Sequence, residues 1–135
     1  MSARRIVKVP VLSAALRDMN VPLSPVTAGG GLVFVSGMPP LDLDSGKLRE
    51  GDIATQTKAC LEALLHCLTA AGSRAENVLM IRVYAANAGH YDTINRVYAQ
   101  FFPVDPPART FVPVASWPKP FDLEIDCTAL GPAAQ

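Results

Sequence analysis

Asp52-Ile53-Ala54-Thr55-Gln56-Thr57-Lys58-Ala59-Cys60-Leu61-Glu62-Ala63-Leu64-Leu65-His66-Cys67-Leu68-Thr69-Ala70-Ala71-Gly72 carries the clearest periodic signal in the chain. Ile53, Gln56/Thr57, Cys60/Leu61, Leu64/Leu65, Leu68 and Ala71 recur at three- and four-residue spacing, the period of an α-helix. Asp52 is the expected N-cap and Gly72 the expected C′ stop. The apolar stripe is wide, so this helix is expected to lie flat on a sheet.

Working outward, strand and turn signals supply that sheet. Upstream, Gly29-Gly30-Gly31 reads as a turn, and 32–37 as a short β-branched strand ended by glycine. Pro39-Pro40 then excludes regular pairing, and 42–51 is a polar loop turning at Asp44-Ser45-Gly46. Residues 5–28 are loosely patterned, with 6–11 as an edge-strand candidate and Pro22 and Pro25 in an extended stretch. Downstream, 78–86 is a strand that places Arg82 and Tyr84 on one face. A second helix is expected over about 90–102, with Tyr91, Ile94, Val97/Tyr98 and Phe101 as its stripe and Pro103 closing it. Strands at 108–115 and 121–130 follow, joined by Ser116-Trp117-Pro118-Lys119-Pro120.

This order predicts a single α+β domain over 1–135: a two-layer sandwich with a mixed sheet of about five or six strands, one face covered by two helices. The other apolar face needs cover, and self-association is the economical way to supply it.

Composition narrows the function. The chain has 135 residues, half of them hydrophobic, and 18% are charged against a usual share of about 25%. That argues against disorder and for surface hidden in an oligomer. Twelve Lys+Arg balance twelve Asp+Glu, so the basic excess expected of a nucleic-acid binder is absent. No apolar run reaches the ~18 residues that span a bilayer, so no membrane role is expected. Cys60, Cys67 and Cys127 are odd in number and form no CxxC pair, which reads as buried, reduced thiols in a cytoplasmic protein. The start, Met1-Ser2-Ala3-Arg4-Arg5-Ile6-Val7, lacks the apolar region of a secretory signal.

Most chemistry-bearing residues have an ordinary reading. His66 and His90 are the only histidines, too few for a zinc site with the residues near them, so no metal is expected. Ser36-Gly37 is not a G-x-S-x-G elbow, and the glycine turn has no G-x-G-x-x-G. Asp42 and Asp44 read as turn caps, and Cys60 and Cys67 as core. Trp117 beside prolines is equally an interface residue or a lid. Arg109, at the mouth of an apolar strand, must be solvated, paired or waiting for an anion. Glu124 and Asp126 share one face of the last strand. Two readings stand together here. Arg109 and Glu124 form an ion pair between neighbouring strands, or Arg109 holds a substrate carboxylate while Glu124 handles water.

Pro107-Ala108-Arg109-Thr110, with Val112, Val114, Pro118 and Leu123-Glu124-Ile125, resembles the C-terminal signature of the RidA (YjgF-type) family of imine/enamine deaminases. The resemblance extends through Val33-Phe34-Val35-Ser36-Gly37-Met38-Pro39, Ala71-Gly72, Val83-Tyr84, Asn95-Arg96-Val97-Tyr98 and Phe101-Phe102, over about residues 22–131. It implies a chorismate-mutase-like fold and a homotrimer with three clefts between subunits. It further implies that Arg109 binds the substrate carboxylate, that Glu124 is associated with the attacking water, and that Ser36 and Asn95 lie near the site. No cofactor is implied. Two positions depart from the pattern: Leu23 stands where the family's deaminases carry a pocket tyrosine, and Phe111 where a cysteine is frequent. The implied function is hydrolytic deamination of 2-imino acids and their 2-enamine tautomers to 2-keto acids and ammonia. Its rivals are a pathway-specific deaminase of a larger, aminomuconate-like enamine, and a non-catalytic trimer that binds small carboxylates or acts like a chaperone. Nuclease activity, reported for some relatives, is disfavoured by the neutral charge.

Overall fold

In the computed structural model, which describes residues 3–132, six strands form one sheet. They are β1 (Arg5–Val7), β2 (Val26–Gly29), β3 (Leu32–Met38), β4 (Val78–Ala85), β5 (Ala108–Pro113) and β6 (Leu123–Leu130). Their order is β1-β2-β3-β6-β4-β5. Only the β4–β5 pair is parallel; the others are antiparallel, so the sheet is mixed. The helices are α1 (Leu12–Asp18), α2 (Ile53–Ala70) and α3 (Tyr91–Phe101). This is the expected α+β architecture with one helix more. Residues 1–2, part of the start read above as non-secretory, and 133–135 lie outside the described residues.

α2 is built as its sequence indicates. The Asp52 carboxylate accepts from the Thr55 amide at 2.8 Å, and Gly72 takes φ +77°, the left-handed conformation that ends a helix. Cys60, Leu61, Leu64, Cys67 and Leu68 are fully buried in the core that α2 shares with the sheet. Leu12, Leu16, Ile94 and Tyr98 join them from the other two helices. All three thiols are free and buried, and burial pushes Cys67 and Cys127 up to about 12, so neither is an ionised nucleophile near neutral pH. Gln56, buried in the first turns of α2, ties the helix to the start of β6. Its amide nitrogen donates to the Gly51 carbonyl and the Asp122 carboxylate, and its oxygen accepts from the Asp122 amide, each at 2.9 Å.

The N-terminal segment departs from expectation. The edge strand is only Arg5–Val7, and the chain then turns through Val11, at φ +70°, into α1. Leu12 and Leu16 are both buried, one turn apart, but the helix has only seven residues, under two turns. A helix that short is held by tertiary packing, not by its own propensity. His66 meets the Pro10 carbonyl at 3.0 Å, fixing this corner onto α2.

The inner sheet face is the core: Val7, Val26, Val33, Val35, Ile81, Val83, Ile125 and Cys127 are buried. The opposite face runs Ile6–Thr27–Phe34–Thr128–Met80 across five strands in register. On it Ile6 and Phe34 are 51% and 44% exposed. Among the described residues, no helix is long and apolar enough to cross a membrane.

Replacing the cap by Asp52→Ala is expected to lower stability by about 1 kcal/mol in denaturant unfolding. Leu64→Ala, which opens a cavity in the core, is expected to lower it by about 3 kcal/mol in the same assay.

Candidate active site

Arg109 and Glu124 lie on opposite faces of the sheet. Arg109 is level with Ile81 across the β4–β5 pair, and Ile81 points into the core. Glu124 is level with Tyr84 across the β4–β6 pair, and Tyr84 has the opposite parity along β4. β4 also separates the two strands. The ion pair between neighbouring strands is therefore excluded, because the strands are not neighbours and the side chains alternate away from each other.

Arg109 sits half-buried on the edge strand, under α3. Among the described residues it has no carboxylate partner; ion pairs there are Arg17–Asp18, Arg49–Asp42 and Arg82–Asp126. It lines a hollow of about 360 Å³ with Asn95, Tyr98, Ala99, Phe102, Pro106 and Pro107. The Asn95 side-chain oxygen and the Tyr98 hydroxyl are buried there and make no hydrogen bond among the described residues. Phe111, two residues on from Arg109 and on the same face, packs edge-on against Tyr91 with centroids 4.9 Å apart.

Glu124 lies on the open face in a hollow of about 300 Å³, lined by Gly37, Tyr84, Val114, Ser116, Trp117 and Asp126. Gly37 leaves room for the carboxylate in this position, because a Cβ there would overlap its oxygen and push the Glu124 side chain aside. A register irregularity in β3 between Val35 and Met38 pairs Met38 with Ile125, both buried, and leaves Gly37 on Glu124's side of the sheet. Burial, and then the nearby Asp126 charge, raise the Glu124 carboxyl to about 6. Asp126 itself is held, accepting from Arg82 Nε at 3.0 Å and from the Tyr84 hydroxyl at 3.2 Å. Trp117 stacks on Phe121 at 4.8 Å and forms one wall of the Glu124 hollow.

Ser36 and Leu23 line a third, broader hollow of about 800 Å³, between the 20–25 segment, α1 and the open face of β1–β3. The Ser36 hydroxyl donates to the Ser24 carbonyl at 2.7 Å, so its proton is engaged and it has no base beside it. Leu23 is 42% exposed at the rim.

The residues singled out from sequence thus fall into two groups. Arg109, Asn95 and Phe111 gather at the β5 edge beside α3. Glu124, Ser36 and Leu23 gather on the open face. One chain does not bring the groups together. Sequence reasoning overlooked Tyr91 and Tyr98 as neighbours of Arg109, having placed both in a core stripe, although their spacing of seven set them on one side of a helix. It also passed over Gly37 as the residue that makes room for Glu124. No group of three or more metal-ligating side chains occurs among the described residues.

Comparison with known proteins agrees with this architecture. The family profile described as endoribonuclease L-PSP matches residues 4–131. A RutC family protein of Pyrococcus horikoshii is 34% identical over 108 residues, covering 80% of this chain and 86% of the relative. The 3-aminoacrylate deaminase RutC of Acinetobacter baylyi is 38% identical over 93 residues, covering 69% of this chain and 74% of the relative. Among solved structures, YyfA of Yersinia pestis, described as a protein of unknown function of the conserved Rid family, superposes with a TM-score of 0.85 at 27% identity, over 95% of this chain and 99% of that one. A profile match over nearly the whole chain, on the fold and residue pattern described above, makes this chain a member of the RidA (YjgF-type) family, the family also described as endoribonuclease L-PSP.

Proposed function

We propose that the chain is a hydrolytic deaminase of reactive 2-imino acids and their 2-enamine tautomers, releasing a 2-keto acid and ammonia. It works as a homotrimer in which the Arg109 edge of one copy meets the Glu124 face of the next. One observation carries this reading: an arginine with no carboxylate partner among the described residues and a half-buried glutamate stand on opposite faces of one sheet, so a cleft between copies is where they can serve one small molecule. The exposed apolar residues Ile6, Phe34 and Leu130 on the open face favour such an assembly. The 3-aminoacrylate deaminase relative supports the reaction class. The free, buried thiols suit a reducing compartment such as the cytoplasm.

The chemistry is spare. Arg109 holds the substrate carboxylate with two parallel hydrogen bonds and so fixes the C=N carbon. The substrate reacts as its iminium form: water adds to that carbon while the Glu124 carboxylate takes one water proton, giving a neutral carbinolamine. Glu124 then gives this proton to the nitrogen; as the C–N bond breaks, the hydroxyl proton passes back to the Glu124 carboxylate, C=O forms, ammonia leaves, and Glu124 releases its proton to solvent. A carboxyl raised to about 6 is suited to these transfers near neutral pH. Imines already hydrolyse in water, so modest stabilisation of the transition state suffices. The broad hollow beside Leu23 favours a second reading, a substrate with a larger apolar side chain than 3-aminoacrylate. Equal numbers of basic and acidic residues give little of the phosphate-directed attraction that RNA cleavage uses.

Ammonia release is to be followed with imines generated in situ by an amino-acid oxidase or a dehydratase, alongside an RNA substrate. Wild type should exceed the uncatalysed rate on imines and leave the RNA intact. Arg109→Ala should lower kcat/KM roughly 100-fold through loss of the charged hydrogen bonds. Bound carboxylate without turnover of any imine would instead identify a non-catalytic binder. A monomer in light scattering at micromolar concentration would remove the shared cleft.

The water-activating form of Glu124 is the carboxylate, so the catalysed rate should fall as pH drops through about 6. Glu124→Gln should lose that limb and roughly 100-fold or more in kcat. Stability should move the other way. The folded carboxyl binds its proton more tightly than the unfolded one, with about 6 against 4.5. Its contribution therefore favours the fold below pH 4.5 and is lost as pH rises through about 6. Glu124→Gln, which never ionises, should match wild type in unfolding at pH 4 and exceed it at pH 8.

A further inference from the structure

The Arg109 guanidinium is held in place without being neutralised. Its central carbon lies 4.8 Å from the Tyr98 ring centroid and 5.7 Å from that of Tyr91. The two rings stand seven residues apart, two turns along one side of α3. Each touches a further ring. Phe102 packs on Tyr98 at 4.9 Å with the planes tilted by 35°, and Phe111 meets Tyr91 at 4.9 Å and 84°. The Tyr98 hydroxyl is buried and bonds to nothing among the described residues.

A counter-carboxylate would orient the guanidinium equally well, but it would occupy the N–H fork and cancel the charge. A ring face attracts the cation through its quadrupole and leaves the in-plane donors free. On the reading that Arg109 grips the substrate carboxylate, we propose that Tyr91 and Tyr98 are positioning residues that hold the Arg109 guanidinium by their ring faces and leave its N–H edge for the anion. Phe111 then has a definite task. It stands where the family often has cysteine and keeps Tyr91 turned toward the arginine.

The test is calorimetric titration of the full-length protein with pyruvate and 2-oxobutanoate, paired with steady-state kinetics on an imine generated in situ. Tyr91→Leu, at a position 44% exposed, should fold normally and weaken keto-acid binding about 5-fold, a loss within the usual range for a cation over a ring. KM should rise with it and kcat change less. Tyr98→Leu should do the same. Tyr91→Phe and Tyr98→Phe should restore affinity to within about twofold of wild type, because only the ring is needed. Should Tyr98→Leu fail to fold, Tyr91→Leu and the two phenylalanine variants decide the matter. Wild-type affinity in Tyr91→Leu, beside weakened binding in Arg109→Ala, overturns this proposal alone. Phenylalanine variants as weak as the leucine ones overturn it too, since the hydroxyls would then be the active part. Arg109→Ala with wild-type affinity, or wild type that binds neither keto acid, overturns the carboxylate grip and this proposal together.

Discussion

Side chains on a strand alternate between faces, and in this sheet that rule keeps the cation and the acid apart. Arg109 shares parity with buried Ile81, and Glu124 shares parity with Tyr84 on the other side. A one-residue slip of β5 or β6 would put them on one face, with only β4 between them. The register is locked against such a slip, because it would also turn Ile125 and Cys127 out of the core. The same packing that stabilises the fold therefore keeps both charges available.

Each charge is kept available by a different device. The guanidinium rests on aromatic rings that touch further rings. The Glu124 carboxylate reaches over Gly37, which has no Cβ to push it aside, and partial burial makes it hold its proton more tightly. The adjacent Asp126 is the contrasting case: Arg82 and Tyr84 both donate to it, so its role is local order. Two carboxylates on one strand face, two residues apart, thus differ in whether hydrogen-bond donors hold them.

Much of the fold was legible in the chain because its signals are local. Asp52, the three- and four-residue spacing and Gly72 state where α2 begins, which side it buries and where it stops. α1 was not legible, because seven residues entered through a valine at positive φ show too little periodicity to outweigh a loose, proline-bearing segment. The family pattern named Arg109, Glu124, Ser36 and Asn95 as residues of interest. Their grouping depends on strand order, which spacing along the chain does not encode: the fifteen-residue interval between Arg109 and Glu124 suits adjacent strands as well as strands separated by β4. Tyr91 and Tyr98 carried a helical stripe, and such a stripe does not distinguish rings that fill a core from rings that flank a charge.

The Gln56 side chain joins the first turns of α2 to Asp122, two residues before Glu124. A tilt of that helix is thus transmitted to the strand that bears the acid, with no loop between to absorb it. Substitutions deep in the interior, touching none of the hollows, can re-aim the carboxylate by fractions of an ångström. The aim of Glu124 therefore depends on helix packing as well as on the residues that line its hollow.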